Sequence, residues 1–212
     1  MSNPSNFHHY TDIQHYRKYR HLLEAGLPVR ITEKIDGCLS RVGLLLVDGE
    51  WRFVAGSRSR VEERDSVYWE PLSREGVLNL LTHVCDNWTV DGDPTNDVII
   101  FGVLCGPEEW RVFDISVNGT YLGRSDLILL CLAFGVQTVP VLYTGPFAPE
   151  LVERFTYGAT TVAGDVQSKF KGREGIVITL LTEQCCHIGR LILKNVSADY
   201  LDRKGAKDEG EI

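Results

Sequence analysis

The run Ile31-Thr32-Glu33-Lys34-Ile35-Asp36-Gly37 carries the strongest chemical signal in the chain. A lysine stands at the end of a strand-like stretch, flanked by two carboxylates and followed by a glycine. An amine attacks only when neutral, so a site that uses Lys34 must hold it partly desolvated or beside other cations. Gly37 permits a tight turn and a close approach of phosphate to backbone. Alone, K-x-D-G is short enough to arise by chance, and it equally describes a surface strand end. Further blocks follow in order: Gly56-Ser57-Arg58-Ser59-Arg60, Phe101-Gly102-Val103-Leu104-Cys105-Gly106, Val112-Phe113-Asp114-Ile115, Glu174-Gly175-Ile176-Val177-Ile178 and Leu193-Lys194-Asn195. Singly, each has an ordinary reading: Phe113 as core, Glu174 as a solvated strand start, Arg58 as a hairpin-edge charge, Lys194 as a strand reaching water. Their joint order argues against those readings.

In order and spacing the blocks resemble the motifs of the covalent nucleotidyltransferase superfamily, which comprises RNA ligases, DNA ligases and mRNA capping enzymes. The resemblance covers about residues 28–204. Glu33-Lys34-Ile35-Asp36-Gly37 is similar to the E-K-[IL]-[HD]-G of RNA ligases. Tyr68-Trp69 and Lys194-Asn195-Val196-Ser197-Ala198-Asp199-Tyr200-Leu201 resemble one RNA ligase branch. Leu39 stands where DNA ligases usually carry arginine and RNA ligases asparagine, and Arg41 matches an arginine often found two residues further on.

The resemblance implies an ATP-dependent RNA ligase that joins 5′-phosphate and 3′-hydroxyl RNA ends through a lysyl-AMP intermediate and an adenylylated RNA end. Lys34 would attack the α-phosphate of ATP. Glu33 would contact adenine, largely through its backbone, and Phe113 would stack on the purine. Arg58 would bind a phosphate or the ribose with its planar guanidinium. Glu174 would hold or orient Mg²⁺ or Mn²⁺, and Lys194 would neutralise charge on the α-phosphate in the transition state. Lys34, Lys194 and Arg58 form the catalytic set, and Ile35, Asp36, Gly37 and Arg41 complete the nucleotide-binding set.

Two positions depart from the pattern. Val103 occupies the glutamate position of an F-G-E block, where Glu108 or Glu109 from the following loop is the available replacement. Ile192 occupies the first lysine of a K-x-K pair, although one RNA ligase branch places a single lysine before V-S-x-x-Y. These departures keep two alternatives open. One is another nucleotidyltransferase, either a DNA ligase or a GTP-using guanylyltransferase. The other is a degenerate ligase fold that binds RNA ends without joining them.

Positioning these residues requires a set of strands and helices. Thr11 and Gln14 form a capping box for a helix running to Gly26. Arg30–Lys34 reads as a strand. Arg41–Val47 and Trp51–Ala55 around Asp48-Gly49 read as a hairpin. Ser73 is placed to cap a helix with Val77, Leu80, Leu81 and Val84 on one face, and Asp91–Asn96 reads as a polar loop. Val98–Leu104 and Arg111–Ile115 read as paired buried strands. Ser125 caps a short helix ending near Gly135, Thr138–Tyr143 returns as a strand, and Pro149 opens another helix. Gly175–Leu180 and Leu191–Lys194 read as the last strands. This irregular alternation predicts an α+β fold: one adenylation domain over residues 1–212, antiparallel sheets flanked by helices around a central nucleotide pocket, and a frayed charged tail over 203–212.

Composition sets limits on partners. The 212 residues suffice for one sizeable core, and little chain follows Arg203 to form a C-terminal OB-fold. A net charge of −7 excludes a broadly basic surface. RNA grip then falls to a local patch of Arg58, Arg60, Arg64, Lys169, Lys171 and Arg173, or to an accessory protein. The longest apolar run, Leu127–Val136, is about half a membrane span, so no membrane partner is expected. The N-terminus lacks a signal-peptide core. The six cysteines contain no CxxC pair, and both features predict a cytoplasmic protein with reduced thiols.

Overall fold

The computed structural model describes residues 4–88, 96–106, 109–162 and 171–204. The chain begins with β1 (Gln14–His15), α1 (Tyr16–Tyr19), a 3-10 turn (Arg20–Leu22), β2 (Pro28–Lys34), β3 (Cys38–Val47) and β4 (Glu50–Ser57). A 3-10 segment (Val67–Ser73), α2 (Glu75–Asn87), β5 (Val98–Leu104), β6 (Trp110–Val117), β7 (Thr120–Tyr121) and α3 (Arg124–Ala133) follow. It continues through β8 (Val141–Pro146), α4 (Glu150–Thr156), β9 (Gly175–Leu180), β10 (Cys185–Cys186), β11 (Gly189–Arg190), β12 (Ile192–Val196) and α5 (Ala198–Lys204). Predominantly antiparallel sheets with separate helices make this an α+β fold, as expected. No helix among the described residues is long and apolar enough to cross a membrane.

Contacts divide the chain into two compact units. One contains the residues up to Tyr10 together with Gly37–Thr138, and the other contains Thr11–Asp36 and the chain from Val139 onward. The first unit is built on a sheet of order β4-β3-β5-β6-β7. Strand alternation sends Val42, Ala55, Val98 and Ile100 to one face, where they pack with α2 and α3. Val77, Leu80, Leu81 and Val84 of α2 recur at helical spacing and are all buried. The opposite face carries Leu45, Val54, Ile99 and Phe101, covered by Phe7 of the N-terminal segment. The β3–β4 turn has positive φ at both Asp48 (52°) and Gly49 (79°), the geometry a two-residue hairpin favours.

The second unit carries a sheet of order β1-β12-β9-β2-β8. Val29, Ile31, Ile176, Ile178 and Leu193 point to its core, packed by Phe147 and Val152. The intervening residues of β2, namely Arg30, Thr32 and Lys34, are only partly buried, so period-two alternation gives this sheet one apolar and one polar face.

The structure corrects some local expectations. The helix expected from Thr11 to Gly26 is reduced to α1 and one 3-10 turn, because Gln14 and His15 instead pair in parallel with Leu193 and Lys194 of β12. Ser73 does not cap α2: its hydroxyl donates to the Glu70 carbonyl, and Arg74 takes the N-cap position without a side-chain capping bond, its guanidinium being paired with Glu70. Ser125 lies inside α3, whose N-cap is Gly123. The strand expected at Thr138–Tyr143 runs from Val141 to Pro146, with Thr138 making a single bridge to Val112. Residues 91–95 of the expected polar loop, Glu108, Lys169 and the tail from 205 lie outside the described residues.

Candidate active site

Lys34 ends β2 opposite Gly175 of β9, and Lys194 of β12 lies opposite Val177 of β9. Opposed residues of an antiparallel pair share a face, and alternate residues along a strand return to it. Thr32, Lys34, Val177 and Lys194 therefore occupy the polar face, away from Ile31, Ile176 and Leu193. Two strand spacings, together about 10 Å, separate β2 from β12. Lysine side chains of ordinary length can converge across that span on one anion.

Glu174 immediately precedes β9, and its Oε1 makes an ion pair with Lys34 Nζ; the side chains are 11% and 25% exposed, respectively. Gly175 makes this arrangement possible. A Cβ there would lie 2.1 Å from the Asn195 carbonyl oxygen, so any larger residue would push β12 and Lys194 away from Glu174. Ser197 fixes the backbone from the other side: its N–H donates to the Glu174 carbonyl (2.8 Å) and its hydroxyl to the Arg173 carbonyl (2.9 Å).

Glu33 faces the core side, as alternation requires, with a side chain only 1% exposed. Its carboxylate accepts from the Thr160 hydroxyl, the Thr161 N–H (3.0 Å) and the Thr161 hydroxyl (2.6 Å). Arg173 Nε lies 3.6 Å away, and the same guanidinium donates to the Phe155 and Tyr157 carbonyls. The Glu33 N–H donates to the Pro140 carbonyl at 2.9 Å. Ile35 is half-buried. Asp36 is exposed and pairs with Arg203 of α5 at 3.1 Å.

The remaining expected site residues lie in the first unit. A Cβ at Gly37 would sit 2.3 Å from the Leu104 carbonyl, so the glycine is demanded by the close packing of β3 on β5. Phe113 is the extra residue of a β-bulge: Phe101 pairs with Asp114 and Gly102 with Val112, leaving Phe113 unpaired. Its partly buried ring meets the edge of Tyr10 at 4.9 Å, and the Tyr10 hydroxyl donates to Asp114. Arg41 is fully buried. It donates to the Phe7, His8 and Ser57 carbonyls and stacks on the Phe7 ring, 4.2 Å from its centroid. Burial lowers its pKa to about 10. Arg58 is exposed in the turn after β4, where its carbonyl meets His9 Nδ1 at 2.7 Å. Val103 is buried between Leu39 and Arg111, and Glu109 binds Arg111 through two contacts of 2.7 and 2.9 Å. Of the two replacements considered for the missing carboxylate, Glu109 thus stands next to a direct neighbour of Val103.

Thr160, Thr161 and Ser197 are site-supporting residues that the sequence did not identify as such. Strand parity held the signal for the first two: Glu33 alternates with Val29 and Ile31, and an inward carboxylate must find partners. Arg173, expected in a basic patch, is turned inward by that same carboxylate.

A family model described as RNA ligase matches residues 27–196. Among solved structures, a lysine-to-alanine variant of Naegleria gruberi RNA ligase with ATP and Mn superposes with a TM-score of 0.71 at 18% identity, over 97% of this chain and 59% of that one. An apo variant of the same ligase gives 0.70 at 18% identity, over 96% and 59%. The ligase with PPi gives 0.68 at 17% identity, over 97% and 64%. At these identities the likeness is one of fold, and the chain spans about three fifths of the length of these relatives. Comparison with curated protein sequences gives no match.

Proposed function

The chain belongs to the RNA ligase family, and we propose that it is an ATP-dependent RNA ligase working through a covalent AMP adduct of Lys34. The observation that carries this reading is the contact of Lys34 Nζ with Glu174 on a sheet face shared with Lys194. A nucleophile, a carboxylate and a second cation on one rigid sheet match the needs of transfer at a phosphorus centre.

In the proposed first step Lys34 Nζ bonds to the α-phosphorus of ATP. The bond from that phosphorus to the bridging oxygen breaks, and pyrophosphate leaves with the electron pair. Lys194 offers its charge to the non-bridging oxygens as negative charge builds. In the second step a 5′-phosphate oxygen of RNA takes the AMP from Lys34. In the third, the 3′-hydroxyl oxygen attacks that 5′-phosphorus and AMP departs. Phe113, presented by its bulge, stacks on the purine, and Arg58 keeps the phosphate-binding role that the motif order gives it; Arg41, fully buried on the Phe7, His8 and Ser57 carbonyls, holds the N-terminal segment instead of touching the nucleotide.

The donor set fits Mg²⁺ or Mn²⁺. Glu174 is a hard oxygen ligand, and among the described residues no cluster of three or more His, Cys, Asp or Glu side chains forms a metal cage. A single carboxylate completed by substrate phosphates and water is the usual protein share for such ions. The bound ion would supply charge on the phosphate oxygens.

Incubation with α-phosphate-labelled ATP or GTP, followed by a denaturing gel, tests the nucleotide assignment. Covalent label from ATP alone is expected, and label from GTP alone would point to a capping-type enzyme. Nicked duplexes with RNA or DNA at the 3′-hydroxyl side then separate RNA from DNA ligation. Burial of Val103 in place of a carboxylate favours the second reading, a ligase fold that binds RNA ends without joining them. Failure to label with either nucleotide and either metal, alongside retained RNA binding, would select it.

A further inference from the structure

Two adjacent charge pairs join the same two chain segments in opposite senses: Glu33 with Arg173, and Lys34 with Glu174. The first lies on the core side of the β2–β9 sheet and the second on its polar side. We propose that Glu33 is a positioning residue for lysine adenylylation, its buried carboxylate clasping Thr160, Thr161 and Arg173 so that Lys34 and Glu174 are held in a fixed mutual register. This rests on the ligase reading given above.

Alternation along β2 turns the Glu33 carboxylate away from Lys34 Nζ, so Glu33 does not touch the reacting atoms. Its influence runs through the backbone. Glu33 is one residue from Lys34, and Arg173 is one residue from Glu174. Anchoring the first members of both dipeptides on one side of the sheet limits how far the second members can rotate or slide on the other. The anchor is itself held at several points. The Arg173 N–H donates to the Gly158 carbonyl, the Ser197 hydroxyl donates to the Arg173 carbonyl, and the Thr160 N–H donates to the Lys171 carbonyl. The 158–161 segment after α4 is thereby tied to both members of the Glu33–Arg173 pair. A reacting group displaced by about 1 Å can lose on the order of a hundredfold in rate, so a clasp of this kind is worth keeping even though its carboxylate does not touch the reacting atoms.

Glu33→Gln tests the proposal because the amide keeps the shape and the oxygen acceptor while removing the charge. Three quantities are measured on the full chain: the single-turnover rate of Lys34 labelling against ATP concentration, the sealing of chemically pre-adenylylated RNA, and the thermal midpoint. The expected result is a labelling rate at saturating ATP reduced about tenfold or more. The ATP concentration at half-maximal rate should move less than about threefold, and so should the sealing of pre-adenylylated RNA, which does not use Lys34 as nucleophile. Thr161→Val and Arg173→Lys are run in parallel and should show the same split in smaller degree, with Arg173→Lys retaining more rate than Arg173→Met. Equal loss of labelling and sealing, or labelling at the wild-type rate, would overturn the proposal. If Glu33→Gln does not fold, the same two outcomes in Thr161→Val and Arg173→Lys decide it. A wild-type protein that takes no label from ATP would instead remove the ligase reading itself.

Discussion

Lys34 and Lys194 project from the same face of one sheet, on strands that both pair antiparallel with β9 and are offset by two residues along it. The two amines are thus placed by main-chain register, which a substitution at Lys194 itself leaves intact. Lys194→Met should lower the rate of lysine labelling by about a hundredfold or more with little change in thermal midpoint, and Lys194→Arg should recover part of it. Single-turnover labelling at saturating ATP and metal measures both. Equal rates in Lys194→Met and wild type would remove Lys194 from the reaction.

Phe113 owes its presentation to a bulge, and the expected cost of losing it is on nucleotide binding. Base stacking on an aromatic side chain contributes about 1–3 kcal/mol, so Phe113→Ala should raise the ATP concentration at half-maximal labelling by roughly 5- to 150-fold. Phe113→Trp should stay close to wild type. An ATP dependence unaltered in Phe113→Ala would assign the ring to packing against Tyr10.

The inward turn of Arg173 removes one cation from the patch proposed to grip RNA. Arg58, Arg60, Arg64 and Lys171 remain exposed, with Arg60 paired to Glu62 and Arg64 over the Trp69 ring. Reversing Arg60 and Arg64 to glutamate should weaken binding of single-stranded RNA across sequences. Each lost phosphate contact should flatten the slope of log K against log salt by about 0.7. Fluorescence anisotropy at several salt concentrations provides the test, and an unchanged slope would place the RNA elsewhere.

His8 gives the fold an acid-side sensitivity. Its ring packs against Phe101 and Tyr121 and meets the Ser116 hydroxyl at 3.3 Å. Burial, assisted by the positive charge of Arg41 and by His9, lowers its pKa below the ordinary 6.5. The folded state therefore holds His8 neutral, and the unfolded chain takes up a proton at higher pH. Stability from the neutral ring is complete above about pH 6.5 and is lost as pH falls through the lowered value. The thermal midpoint should drop between pH 7 and pH 5 more steeply in wild type than in His8→Gln. Parallel curves would contradict this.

Much of the fold was legible where local pattern and tertiary demand agree. Val98–Leu104 and Gly175–Leu180 are apolar runs bounded by turn residues, and both are strands with those same limits. The Asp48-Gly49 hairpin formed because its turn chemistry is local. The N-terminal helix failed because its caps compete with a strand pairing to residues almost 180 positions away, a contact no local rule contains. In the candidate site, the order of motifs singled out Lys34, Glu174 and Lys194, and strand register sets Lys34 and Lys194 on one sheet face, with Glu174 just before β9. The bulge at Phe113 and the Glu33 clasp could not be read in the same way, since both depend on which neighbour each strand finds. Only the parity of Glu33 with Val29 and Ile31 hinted at the clasp.

The most direct test of the central claim is a denaturing gel after incubation with α-phosphate-labelled ATP and Mg²⁺ or Mn²⁺, comparing wild type with Lys34→Ala and Lys34→Arg. A label that is covalent in wild type, lost in both variants and mapped to Lys34 by peptide mass is the expected result. A label of wild-type intensity in Lys34→Ala would contradict the account.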